Sequence, residues 1–348
     1  MNNLKKCVRS LLVLAIFLTL PVVVLGPLST PGYAQTKIVY NIFIPRRHPI
    51  FTGIITPWAK DVKQATNGRV VVEFPAASMA PPPRQWQMVT SGIADAAMLF
   101  NTFERRRLHL PAIAELPFMT PSAKESSIAL WRTHVKHFAS ANEFKGVKLL
   151  GLFTTPGNQI HHRSRPISAV SDLNKEKMLA YAGIGKAIFT KLGSVVVAVP
   201  AVKSHEVVSK GIVDGVAMSI DAILAFKLIP YLKHTTVVPG AVYNSQFSFF
   251  MNEKKWNSIS AADQKAILGV SGERIAANAK AWDKVTGIAR GLMEKSGAKF
   301  INASPQMIGK MRSQLAHLNN DWIERANKRG INGKAAFDYF ASQLKNAK

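Results

Sequence analysis

Cysteine occurs once in the 348 residues, at Cys7, inside a segment that reads as a leader. The rest of the chain therefore has no disulfide and no thiolate for a metal or a nucleophile. Acidic side chains are also scarce, 20 Asp and Glu against 45 Lys and Arg, which leaves a net charge of +25. The cations are scattered, with one tight run at Arg105-Arg106-Arg107, so the pattern is a basic surface and not a nucleic-acid stripe. After Gly26 no apolar run is long enough to span a bilayer.

Catalytic motifs are missing as well. His205-Glu206-Val-Val-Ser209 begins like a zinc-protease helix but has Ser where the second imidazole belongs. Gly183-Ile-Gly185 lacks the third glycine of a dinucleotide loop, since Ile188 stands there. His161 and His162 are adjacent, so on a strand they point to opposite faces and share no metal. Neither a Gly-x-Ser-x-Gly elbow nor a phosphate loop occurs. No cofactor, no metal and no catalytic residue is expected.

What is present begins with a leader. Lys5, Lys6 and Arg9 precede the apolar run Ser10 to Gly26, and Gly32-Tyr-Ala34 offers small residues for cleavage. Export to the periplasm with cleavage after about Ala34 is expected. The chain beyond it carries +22 and is long enough for two domains without staples.

Lys37 to Ile44 reads as a strand, and Phe51 to Ala65 as a helix with Ile54, Ile55, Trp58 and Val62 on one face. Arg69 to Phe74 reads as a second strand, and a further helix ends at Ser91-Gly92. This alternation predicts an α/β layer with a parallel sheet. Gly92-Ile-Ala-Asp95 and Gly211-Ile-Val-Asp214 repeat one joint, a glycine C-cap followed by a buried strand that the isoleucine opens, in both halves. From Ser260, a capping-box start, helical spacing runs to Lys295. As one helix this tract would span about 52 Å, and Gly269, Gly272 and Gly287 are the points where it could bend.

Three islands in fixed order carry a resemblance: Arg165-Pro-Ile leading to Asp172-Leu, Gly211-Ile-Val-Asp-Gly215, and Asn244-Ser-Gln246 before Asn252-Glu. With Trp58-Ala-Lys-Asp-Val62, Phe74-Pro-Ala76 and Glu115-Leu-Pro-Phe118, they resemble the solute-binding component of tripartite ATP-independent periplasmic (TRAP) transporters, the DctP family. The resemblance implies a two-lobe α/β periplasmic-binding-protein fold with a long helix bridging both lobes. It implies lobe I from 35–161 plus about 270–308, and lobe II from 162–269 plus about 309–348. The function implied is a receptor that closes on a small organic molecule, an organic acid in most of the family, and hands it to TRAP membrane permease subunits. A monomer is expected, with no nucleic-acid partner.

The resemblance also supplies site candidates. Arg165 matches an arginine near the ligand and Asn244 a polar pocket residue. Phe100, Asn101, Tyr181 and Ser204 fall near pocket positions. The chain departs from the family at Leu179, which stands where an arginine usually clamps the ligand's carboxylate. Three readings follow: Arg165, Arg163 or Arg84 replaces the clamp; the ligand is neutral or aromatic, held by Phe100, Phe103, Leu179 and Tyr181; or the receptor serves another periplasmic role. The reading from another class is an enzyme on a similar scaffold.

Overall fold

The computed structural model describes residues 35–347; the leader and its cleavage site lie outside the described residues. Eleven strands are described: β1 Thr36–Asn41, β2 Val70–Glu73, β3 Ala96–Phe100, β4 Val147–Thr154, β5 Gln159–His162, β6 Lys177–Leu179, β7 Val195–Val197, β8 Gly215–Met218, β9 His234–Val237, β10 Gln246–Asn252 and β11 Lys299–Asn302. They form two sheets, ordered β2-β1-β3-β10-β4 and β11-β9-β5-β8-β6-β7. Taken from β2 and from β7, the two orders match, with β11 added at the far edge of the second.

The parallel expectation holds for β1 with β2 and β3, and for β6 with β7 and β8. Each sheet is nevertheless mixed, because β10 lies antiparallel to β3 and β4, and β5 lies antiparallel to β8 and β9. Strand β10 returns to the first sheet after the chain has built most of the second. Sheet membership thus divides the chain differently from the expected boundaries. β10, from the stretch expected in lobe II, is in the first sheet, and β11, from the stretch expected in lobe I, is in the second.

The repeated joint is a real structural equivalence. Gly92 and Gly211 take positive φ, +77° and +68°, as a glycine C-cap does. Asp95 Oδ2 accepts from the Val39 N–H at 2.8 Å, and Asp214 Oδ2 from the Lys177 N–H at 2.8 Å. Each aspartate pins the edge of β3 or β8 to the neighbouring parallel strand. The isoleucines do not open the strands as expected: Ile93 and Ile212 are exposed, and the strands start after the aspartates.

The long helical tract is interrupted. It runs as Ala261–Gly269, Glu273–Ala277 and Lys280–Lys295. Gly272 sits at φ +62°, and a Cβ there would meet the Trp131 ring at 2.6 Å, so neither the backbone nor the space allows a continuing helix. Gly287, in contrast, lies inside the last helix without breaking it. That last helix bridges the lobes. Trp282 packs in the core of the first sheet with Trp58 and Phe249, while Ala289 and Met293 pack in the core of the second with Leu179 and Val216.

Gly272→Ala should therefore destabilise the protein by about 2 kcal/mol or more, from left-handed strain plus overpacking against Trp131. Denaturant titration of the two proteins measures the difference.

Candidate functional site

The chain crosses between the sheets at β4→β5 and β9→β10, and these crossings are tied together by backbone bonds. Asn158 N–H donates to Tyr243 O at 2.7 Å, Val242 N–H to Asn158 O at 3.0 Å, and Thr155 N–H to Ser245 O at 2.9 Å. Tyr243 adds a clamp: its hydroxyl donates to Ala217 O at 3.1 Å and accepts from the Tyr181 N–H at 3.2 Å. A Cβ on Gly185 would meet that ring at 2.7 Å, so the glycine is what lets the helix Ile184–Lys191 approach.

Beside the crossings lies a cleft of about 250 Å³. Most of its wall comes from segments at or just past strand ends: Phe43, Ile44, Pro45 and His48 after β1, Phe100 at the end of β3 and Phe103 after it, Thr155 and Asn158 after β4, Tyr181 after β6, Ala198 to Val202 after β7, and Ser219, Asp221 and Ala222 after β8. Ser245 and Phe247 enter from the start of β10, and Trp282 from the bridging helix. Ligands of α/β sheets lie at the carboxyl ends of parallel strands, and here two sheets present those ends to one space.

One face of the cleft is aromatic. Phe100 packs against Phe103 and Phe247, each with centroids 5.4 Å apart, and against Tyr181 at 6.3 Å. Phe247 stacks on Phe153 at 5.4 Å. The other face is polar and unpaired. Asn158 Nδ2, Ser245 Oγ, Asp221 Oδ1 and Trp282 Nε1 are buried with no hydrogen-bond partner, yet all four residues line the cleft. Each such atom costs about 1–3 kcal/mol if left unmatched. A ligand that supplies the missing partners recovers that cost.

Charge in the cleft is small. Among the described residues no lysine or arginine lines it. Burial pushes the Asp221 carboxyl up to about 6, with Ser219 and the Trp282 indole opposing the rise. Burial lowers His48 to about 4, so its imidazole is neutral at pH 7. Its Nδ1 accepts from the Ile50 N–H at 3.2 Å, which leaves the proton on Nε2.

The sequence candidates scatter. Phe100 and Tyr181 are on the cleft wall. Asn101 is buried beside it but bonded to Gln246 and Ser248. Asn244 is buried with both side-chain polar atoms unpaired, and Ser204 is buried with its hydroxyl unpaired; neither lines the cleft. Leu179 faces the core of the second sheet, fully buried with Val208 and Val216, so its side chain does not reach the cavity.

Arg165 also lies outside the cleft: its Nη2 donates to Asp172 O at 2.8 Å and Glu176 Oε1 at 2.7 Å, and its side chain is 43% exposed. Arg163 donates to Val208 O at 2.6 Å. Arg84, on an exposed turn, is not on the wall either. His48, Asn158, Asp221, Phe247 and Trp282 carry no motif. Only their position at strand ends and on the bridging helix could have marked them. Ser245 stands inside the Asn244-Ser-Gln246 island, between the two residues that drew attention.

A larger groove, about 530 Å³, opens among Arg105, Arg106, Glu115 and Arg325. Burial raises its one fully buried carboxyl, Glu115, to about 7, and Thr102 and Gln246 already bond it. Among the described residues no group of three or more His, Cys, Asp or Glu could hold a metal ion. No helix among them is long and apolar enough to cross a membrane.

Residues 40–325 match the sequence profile of bacterial extracellular solute-binding protein, family 7. The chain is 33% identical over 318 residues, 91% of its length and 94% of the relative's, to the outer membrane transporter protein TsaT of Comamonas testosteroni. Its fold superposes with a TM-score of 0.86 on a TRAP periplasmic solute-binding protein of Bordetella bronchiseptica with bound (R)- and (S)-mandelate, at 27% identity over 90% of this chain and all of that one. A marine-metagenome TRAP solute-binding protein specific for aromatic acids, solved with 3-hydroxybenzoate, superposes with a TM-score of 0.81 at 27% identity, over 90% and 99% of the two chains.

Two outcomes are expected. Arg165→Ala should leave ligand affinity within about twofold of wild type by calorimetry and cost at most about 1 kcal/mol of stability, as half-exposed ion pairs do. Asp221 has a folded-state pKa of about 6, above its ordinary 3.8. The native state therefore holds its proton more tightly, and the carboxyl subtracts stability as pH rises through 4 to 6. In the ligand-free protein Asp221→Asn should match wild type near pH 4 and exceed it by on the order of 2 kcal/mol above pH 6; denaturant midpoints across pH give the difference.

Proposed function

This chain belongs to bacterial extracellular solute-binding protein family 7, and from that we propose that its cleft between the two sheets binds a small organic acid bearing an aromatic ring. It is a solute receptor of the TRAP type. Residues 1–34 direct export and are removed after about Ala34, and the mature receptor acts in the periplasm as a monomer. It closes on its cargo, passes it unchanged to a TRAP membrane permease, and performs no chemistry.

The observation that carries this reading is the pairing of aromatic walls with uncharged, unpartnered donors. Phe100, Phe247 and Tyr181 offer ring faces. Asn158 Nδ2 and Ser245 Oγ offer hydrogens to a carboxylate. Hydrogen bonds to a charged group contribute about 1.5–3 kcal/mol each, so two neutral donors can hold an anion without an arginine. The net positive charge of the receptor steers anions toward it. Relatives of similar fold that bind mandelate or 3-hydroxybenzoate support the same class. The lack of a cation in the cleft supports one second reading, a neutral aromatic solute.

A thermal-shift and calorimetry panel on mature protein tests this. Benzoate, phenylacetate and their hydroxylated forms should stabilise it, by about 2.7 kcal/mol at 100 times the dissociation constant. Benzamide and benzyl alcohol should not. Tighter binding of the amides replaces the acid by the neutral reading. Recovery of the acid in altered form after incubation overturns the receptor reading.

A further inference from the structure

We propose that Asp221 is a specificity residue that accepts a hydrogen bond from a hydroxyl of the ligand, so that the receptor selects hydroxylated aromatic acids over their unsubstituted parents. This rests on the reading of the cleft as an aromatic-acid site.

Asp221 Oδ1 is buried, borders the cleft and has no partner. An ionised carboxylate only accepts hydrogen bonds, so its partner must be a donor. Among the described residues Oδ1 has none within hydrogen-bond geometry: Ser219, the residue's own amide and the Trp282 indole lie close enough to favour the ionised carboxylate, yet Oδ1 and Trp282 Nε1 both remain unpaired. Among the described residues neither a lysine nor an arginine lines the cleft, and Asp283 adds negative charge nearby. Among the described residues no cluster that could hold a metal brings in a cation.

Above pH 6, where Asp221 is ionised, the ligand's own carboxylate does not fill this role, because it repels Asp221 and has no hydrogen to give. It is matched instead by the donors Asn158 Nδ2 and Ser245 Oγ. The remaining acceptor needs a second ligand group that carries a hydrogen. A hydroxyl fits better than an ammonium, since a receptor with strong positive charge disfavours cationic solutes. A site built to bond a hydroxyl discriminates strongly against the analogue that lacks it, because its own polar atom is then left unmatched. Here that atom is charged, which deepens the penalty.

The test is calorimetric affinity for hydroxylated acids against their parents, using 2-, 3- and 4-hydroxybenzoate against benzoate and mandelate against phenylacetate. In wild type the best hydroxylated acid should bind at least about tenfold more tightly than its parent. In Asp221→Ala the ratio for that same pair should fall to about threefold or less, largely through tighter binding of the parent once the repulsion is gone.

Asp221→Asn keeps the shape with a weaker, uncharged acceptor, and its ratio should fall in between; it serves if the alanine variant does not fold. A wild-type ratio below tenfold overturns the assignment while leaving the aromatic-acid reading intact. So does a ratio unchanged in either variant, and so does phenylglycine binding more tightly than mandelate. Failure of every acid to bind overturns the reading of the cleft and this assignment together.

Discussion

The backbone bonds between Thr155–Asn158 and Tyr243–Ser245 are the constraint from which the cleft follows. Two strand crossings that ran separately would leave the bridging helix as the main tie between the sheets. Paired through Asn158 N–H to Tyr243 O and Thr155 N–H to Ser245 O, they join the sheets through one double connection. The same pairing sets Thr155, Asn158 and Ser245 on the cleft wall. Tyr243 extends the effect by bonding Ala217 O, next to the end of β8, and the Tyr181 amide past β6. The polypeptide that joins the lobes is therefore also part of the site.

A connection of this kind explains why unpaired polar atoms persist in a buried place. Folding normally matches such groups, and an orphan points to strain or to a missing partner. Four of them border one space beside aromatic rings. A ligand that matches those atoms makes the closed form more favourable. Ligand therefore moves the open–closed balance toward closure by its differential affinity for the closed form. His48 fits the same logic, since a buried imidazole held neutral adds no charge that an anionic ligand would have to answer.

Much of the fold was legible in the sequence because it depended on local pattern. The helix face of Trp58 and Val62, the valine-rich β2 and the paired glycine–aspartate joints all follow from spacing within a few residues. Sheet order was not legible, because β10 joins the first sheet from 92 positions beyond the end of β4 and nothing in its own composition says so. The helix break at Gly272 depended on Trp131, a contact across 141 positions. Arg165 shows the opposite case. Its partners Asp172 and Glu176 were close in sequence, and a guanidinium with two carboxylates within eleven residues is satisfied locally before it can reach a ligand. For the polar cleft residues apart from Ser245, sequence offered only their places at strand ends.

The position of Leu179 recasts what the missing clamp means. In this chain that side chain packs into the second core and not into the cavity, so an arginine there would have to be buried unpaired or displace the strand from its packing. The cleft wall of the described structure instead combines aromatic rings and neutral donors with the one carboxyl of Asp221. A guanidinium–carboxylate pair in a dry cleft is strong when made and very costly when broken. Neutral donors each give less, and burying a benzene-sized ring adds roughly 1.5–3 kcal/mol. Affinity is then spread over several modest terms. A receptor that must yield its cargo at a membrane gains from that distribution, because opening costs only the sum of weak contacts.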